Sequence, residues 1–313
     1  MEGFWLGLTG LAAGLCGGLL GIGGSIVVIP AMTELMGPKQ HLYQATALIV
    51  SFFVAVPALV QHVRAKALQR RLLVALAPAA VLGSVAGVSC SELSLFRGER
   101  SVYLTGMFGL FLFYVAGREM WRMLAGPRIA IRGLSCSGEH SRWGAAMLVG
   151  ASTGVVSGLL GVGGGVVAVP LQRRFLGVGV RSAIANSAAM IVLLSIVGGT
   201  AKHIALAVNH PEYAWHAPAE LALFLIPTAV VGAWVGGRLT HVLPLRLVRA
   251  AFMVLLVVAG FRMVHRATEP IRPNAIRVDC TPVCPSPRVA TRGLVWTRGA
   301  AGPSPGASTS AGG

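Results

Sequence analysis

Gly14-Leu-Cys-Gly-Gly-Leu-Leu-Gly-Ile-Gly-Gly-Ser-Ile-Val-Val-Ile-Pro30 recurs 140 residues later as Gly154-Val-Val-Ser-Gly-Leu-Leu-Gly-Val-Gly-Gly-Gly-Val-Val-Ala-Val-Pro170. Nine of the 17 positions are identical. The first copy lies inside a stretch, 3–33, that holds no Asp, Glu, Lys or Arg. As one continuous helix those 31 residues would run about 46 Å, against about 30 Å for the hydrocarbon core of a bilayer. The segment must tilt strongly or break. Gly21, Gly23 and Gly24 stand in its middle. Each glycine costs about 1 kcal/mol in a helix relative to alanine, so the cluster marks the break. Pro30 follows and is best tolerated in the first turn of a new helix. The second copy repeats the pattern at Gly161, Gly163, Gly164, Gly165 and Pro170.

The correspondence continues in order beyond the two segments. Gln44-Ala-Thr-Ala47 matches Ala185-Asn-Ser-Ala188 in character, and His62 falls opposite His203. Pro78-Ala-Ala-Val-Leu-Gly83 matches Pro227-Thr-Ala-Val-Val-Gly232. Offsets of 140 to 149 in one order mean duplication of a whole unit. Further charge-poor stretches give spans near 4–35 (broken), 43–63, 69–90, 101–124, 143–173 (broken), 181–201, 217–240 and 244–265. The expected fold is all-α and transmembrane. It has about eight spans in two homologous four-span repeats, 1–124 and 143–266, each starting with a glycine-broken helix. A basic linker, 125–142, joins them. The 267–313 tail is rich in Pro, Gly, Ser, Thr and Arg, and too poor in apolar residues to fold alone.

Composition agrees. The chain is 55% hydrophobic and 12% charged, where soluble domains carry about 25% charged residues. The net charge of +16 sits in arginines between spans, which reads as topogenic charge and contact with anionic lipid rather than nucleic-acid binding. The first apolar stretch is longer than a signal-peptide core and lacks a basic lead, so it reads as a retained span. Counted for eight full crossings, the N-terminal side holds 17 Lys/Arg and the opposite side 9, which places both termini in the cytoplasm. That count depends on the broken segments crossing fully. The five cysteines complete no zinc spacing, and no metal or other cofactor is expected.

An unwound backbone survives at membrane depth only where protein or a wet cavity covers it. The N–H groups of the half-helix that follows carry the positive end of the helix dipole. Two such ends meeting near the midplane suit a small anion. The candidate binding residues are Gly21, Gly23, Gly24, Ser25, Gly161, Gly163, Gly164 and Gly165, with Ser25 where an N-cap would lie. Thr46, Asn186 and Ser187 add a hydroxyl or amide that either meets the anion or bonds neighbouring helices. Gly14/Gly18 and Gly154/Gly158 fit helix packing instead. His62 and His203 are candidates for proton coupling or sit in headgroup water. Glu34 and Glu220 are the acids close to a span body, both near ends, and no carboxylate is expected mid-membrane.

The doubled Gly-Leu-Leu-Gly-Ile-Gly-Gly-Ser and Gly-Leu-Leu-Gly-Val-Gly-Gly-Gly segments, the Ala-Thr-Ala and Ala-Asn-Ser segments and the two-by-four layout resemble the sulfite exporter TauE/SafE family. The resemblance covers about residues 4–265. It implies a plasma-membrane, multi-pass secondary permease, without ATP hydrolysis, for sulfite, sulfonates or related sulfur anions. The first repeat departs from the pattern with Ser25 and Ala45-Thr46-Ala47, so the two halves are expected to contribute unequally. The alternatives are an integral-membrane enzyme or a membrane scaffold that transports nothing. No Ser-His-Asp set, carboxylate pair, metal cluster or nucleotide loop supports an enzyme. The expected partners are the anion and the bilayer, with homo-oligomerisation left open.

Overall fold

The computed structural model describes residues 2–21, 23–37, 39–96, 101–124, 139–210, 213, 215–239 and 245–268. Ten α-helices and one short 3-10 turn make up the regular structure among them. Helices α1 (Glu2–Leu20), α2 (Ser25–Met36), α3 (Gln40–Arg64), α4 (Arg70–Ser91) and α5 (Ser101–Leu124) precede the linker. Helices α6 (Glu139–Leu160), α7 (Gly165–Phe175), α8 (Val180–Asn209), α9 (Ala217–Leu239) and α10 (Leu245–Thr268) follow it. Seven of them, α3 to α6 and α8 to α10, are long and apolar enough to cross a membrane. Of the linker, residues 125–138 lie outside the described residues, and 139–142 open α6. The tail lies outside them from residue 269.

Helix pairing has a pseudo-two-fold pattern. Helix α1 packs on α9 and α6 packs on α4, so each first helix lies against the fourth helix of the opposite half. Helices α3 and α8 pair at the centre, and α5 pairs with α10. Glycines set the closest approaches. A Cβ on Gly14 or Gly18 would overlap the carbonyl of Ala229 or Ala233, and one on Gly154 or Gly158 that of Ala80 or Ser84. These glycines let two backbones touch, the packing role their spacing implies.

Both helix breaks fall at the expected glycines. Gly21 (φ 64°) and Gly23 (φ 82°) end α1, and Gly161 (φ 72°), Gly163 (φ 71°) and Gly164 (φ 80°) end α6. An L side chain pays for such left-handed backbone, and glycine does not. The new helices begin directly after these glycines, not at the prolines. Pro30 and Pro170 are each the sixth residue of their helix. The sequence expectation of a first-turn proline is corrected accordingly, because the glycines already supply the change of direction.

The register also shows where each broken segment leads. Helix α1 runs parallel to α9, Gly10 facing Leu225 and Gly18 facing Ala233, so both begin at the same end of the bundle. At that end His41, near the start of α3, meets Lys202, near the end of α8. His210, just before α9, reaches Glu92 there, next to His41. Helix α2 leads into the start of α3, and Arg266 near the end of α10 bonds the Thr33 carbonyl at 3.0 Å. The α1–α2 segment therefore returns to the end where it began, here called the terminal end. Helix α6 runs parallel to α4 from the opposite, linker end. Helix α7 returns there, with Gln172 bonded to Asn186 near the start of α8. Each broken segment is a hairpin whose tip lies inside the bundle. The 17-to-9 charge count, which assumed eight full crossings, does not apply to this geometry.

The outer surface is apolar. Leu82, Leu110, Phe224 and Val208 are among many large apolar residues that are exposed, as expected of faces that meet lipid. Trp5, Trp121, Trp143, Trp215 and Trp234 are exposed as well, the property an aromatic belt requires.

Candidate functional site

The two hairpin tips meet beside the central α3–α8 pair. A Cβ on Gly23 would lie 3.6 Å from Ser51 Oγ and 3.7 Å from Ile191, and one on Gly163 would lie 3.4 Å from Ile191 and 3.9 Å from Ser195 Oγ. Glycines 23 and 163 thus look onto the same side chains from opposite ends of the molecule. Gly21, Gly24, Gly161 and Gly164 are different. A Cβ on any of them would press within 3.3 Å on Ile184, Ala13, Gln44, or Leu194 with Thr153 respectively, so they serve close packing. Val27 and Val28 donate to the Gly24 carbonyl, and Val167 and Ala168 to that of Gly164. The N–H groups before them are the first-turn donors that a helix cannot satisfy internally. Both sets lie at the tips, where the two helix dipoles present their positive ends.

Two hydroxyls complete this centre. Ser51 is fully buried and Ser195 is 5% exposed, and neither hydroxyl has a hydrogen-bond partner among the described residues. A buried polar group without a partner costs about 1–3 kcal/mol, so both hydroxyls keep their hydrogen-bonding capacity unspent. Ser25 is the first residue of α2, not its cap, which is Gly24. Its hydroxyl donates across the molecule to the Val162 carbonyl at 2.8 Å and ties the two tips together.

The other predicted residues are dispersed. Thr46 donates to the Leu42 carbonyl of its own helix at 3.0 Å. Ser187 donates to the carbonyl of Gly165, the first residue of α7, at 3.3 Å. Asn186 accepts from the Gln69 N–H at 3.0 Å and donates to Gln172 Oε1 at 3.2 Å, joining α4, α7 and α8 at the linker end. His62 lies towards the linker end of α3. His203 lies towards the terminal end of α8, its ring 6.4 Å from that of Trp215. Both are partly exposed, and the structure does not bring them together.

Sequence reasoning missed a second cluster. Lys202, expected in a loop after residue 201, is fully buried, because α8 continues to Asn209. Its ammonium donates to Glu92 Oε1 at 2.8 Å and Ser91 Oγ at 2.7 Å, and stands 3.0 Å from His41 Nδ1. His210 Nε2 lies 3.3 Å from Glu92 Oε2, and the two imidazole rings stack at 4.5 Å. Burial pushes the Glu92 carboxyl up, but the hydrogen bond and charge that His41 supplies when protonated, together with those of Lys202, outweigh it and hold the group well below the usual carboxylate range. Glu34 and Glu220 are thus not the whole set of span-associated acids. Glu92 caps α4 and is 7% exposed. The legible signal was the apolar run 204–208 directly after Lys202-His203, which lets the helix continue past the lysine. The donor atoms of His41, Glu92 and His210 lie within 4.8 Å of one another, a spacing that suits one cation, and the Lys202 ammonium is already there.

Two broken helices meeting tip to tip within an apolar-surfaced helical bundle is the arrangement of a membrane transporter. A profile of the family described as sulfite exporter TauE/SafE matches residues 6–263, and the chain belongs to that family. It is 27% identical over 285 residues to the probable membrane transporter protein MamO of Magnetospirillum gryphiswaldense, covering 82% of this chain and 44% of that protein. It is 28% identical over 251 residues to the probable membrane transporter protein YunE of Bacillus subtilis, covering 74% of this chain and 85% of that protein. A MamO from Paramagnetospirillum magneticum is 26% identical, with 82% and 43% covered. The chain thus spans less than half the length of the MamO relatives. No solved structure matches. Family and relatives carry the names of transporters, not of enzymes.

Proposed function

We propose that the protein is a secondary transporter of a small anion, bound where the two hairpin tips meet. The observation that carries the reading is the centre itself. Two helix N-termini, the unblocked Cα faces of Gly23 and Gly163, and the unpartnered hydroxyls of Ser51 and Ser195 converge on one space. All are neutral or partly positive donors, with which an oxyanion can bond without an obligatory counter-charge. The family description favours sulfite or an organic sulfonate, whose three oxygens can take donors from both tips at once. Approach of the tips from opposite ends suits alternating access, and the symmetric pairings fit a duplicated unit with repeats 1–124 and 143–266 placed head to tail. Flux into proteoliposomes tests the reading. Sulfite or a sulfonate is expected to move down an imposed gradient, and failure of both to move under a proton gradient and under a voltage would falsify it.

The hairpin geometry also bears on orientation. Among the described residues, the linker end holds thirteen Lys/Arg, in 64–71, 118–124, 139–142, 173–181, 238–239 and 245–249. The terminal end holds three (Lys39, Arg262 and Arg266), setting aside buried Lys202. The positive-inside rule then favours a cytoplasmic linker end and an outer-face position for the start of α1 and the end of α10, the reverse of the count for eight full crossings. A cysteine placed in segment 125–138 of a cysteine-free chain is expected to resist an impermeant thiol reagent added to intact cells. Labelling there returns the termini to the cytoplasm.

A further inference from the structure

The buried cluster at the terminal end has a defined proton inventory. His41 Nε2 lies 2.9 Å from the Phe96 carbonyl, which can only accept, so Nε2 carries the hydrogen. Nδ1 of the neutral ring is then a lone pair and accepts from the Lys202 ammonium at 3.0 Å. Lys202 has three N–H donors and three acceptors: Glu92, Ser91 and His41. In this state the donors of Lys202 and His41 are matched, and one ammonium balances one carboxylate.

A proton added at His41 Nδ1 changes that state. The new N–H bond uses the lone pair that held Lys202, so two donors face each other across 3.0 Å. The imidazolium turns to its other neighbour, Glu92 Oε1, at 3.2 Å. One carboxylate then serves two full positive charges, and a buried site gains a net charge of one. His210 lies beside this pair, its ring 4.5 Å from that of His41, its Nε2 3.3 Å from Glu92 Oε2 and its ring 6.1 Å from that of Tyr213. Glu92 is held as the carboxylate by the Lys202 ammonium, 2.8 Å from its Oε1, which makes it the weaker proton acceptor. These are the titratable and charged groups that the described residues place in the cluster, from α3, the end of α4 and the end of α8.

The position gives this chemistry a mechanical meaning. The cluster joins the start of α3 and the end of α4, from the first half, to the end of α8, from the second. At the linker end, the corresponding cross-link through Gln69, Asn186 and Gln172 contains no ionisable group. We propose that His41, Glu92, Lys202 and His210 form a proton-binding latch, and that protonation of His41 opens the terminal end of the pathway to the central site. The latch takes its purpose from the transporter reading, but its test needs no substrate.

Ser51→Cys, in a chain with the five native cysteines replaced, reports access to the centre. The chain is held in lipid nanodiscs and labelled with an impermeant methanethiosulfonate. Each rate is divided by that of an exposed reference, Gln61→Cys, at the same pH. The normalised rate is expected to rise about tenfold from pH 8 to pH 5.5, the range over which a histidine gains its proton. His41→Gln in the Ser51→Cys chain is expected to flatten the response. The paired Lys202→Met/Glu92→Gln change is expected to label fast at both pH values. A pH response that survives His41→Gln, or its absence with the cluster intact, overturns the latch. If His41→Gln does not fold, the paired variant decides: slow labelling at pH 8 overturns the proposal. A failed flux assay leaves this result standing, and a failed labelling test leaves the flux result standing.

Discussion

Leucine at both Gly23 and Gly163 is expected to lower anion flux at least about a hundredfold, the scale on which a preorganised site loses function when its donors are displaced. The geometry makes the two positions equivalent. A Cβ at either one points at Ile191 and at Ser51 or Ser195 from ordinary contact distance, so a methyl fits and a longer side chain fills the space between the hydroxyls. Each substitution also carries a backbone penalty of about 1–2 kcal/mol, because both glycines have positive φ. Strain and blockage can be separated. Gly177 has φ 62° and nothing within 4 Å of its Cβ position, so Gly177→Leu carries the strain without the blockage. That variant is expected to transport normally. If Gly23→Leu/Gly163→Leu reaches the membrane in normal amount and flux is unchanged, the anion does not bind between the tips.

Lys202→Met alone is expected to destabilise the protein by about 3–5 kcal/mol, the cost of leaving one partner of a buried ion pair uncompensated. Glu92 would then lie buried with its nearest cation removed. Lys202→Met with Glu92→Gln removes both charges and is expected to recover most of the loss, since the pair is coupled and the single costs do not add. Thermal unfolding in detergent reads the difference: a clear drop in Tm for the single change and a much smaller one for the double. Equal drops in both would mean that the ammonium contributes packing rather than charge balance.

The elements of this fold were legible because their causes are local. Charge-free length, glycine clusters and an internal repeat are properties of contiguous residues, and all ten helices lie where these signals put a span or half-span. The breaks fell at Gly21–Gly24 and Gly161–Gly164 because positive φ is a single-residue requirement. The lack of a partner for the Ser51 hydroxyl was not readable, nor was its nearness to Ser195, 144 positions away. Thr46, Asn186 and Ser187 had the right chemistry for an anion, and the fold instead gave them neighbouring backbone and side chains.

The sequence by itself determined that the chain is helical, enters the bilayer, carries its glycine motif twice and breaks at each copy. Only the tertiary structure decided where each broken helix goes next. A glycine at positive φ permits the chain either to continue across or to turn back, and the choice lies in contacts far along the chain, between α1 and α9 and between α6 and α4. That choice reversed the charge count and brought the two tips together. The tertiary structure likewise assembled His41, Glu92, Lys202 and His210, four residues spread over 170 positions. A buried charge is tolerable only where its partners converge, and convergence is a property of packing that a linear reading does not contain.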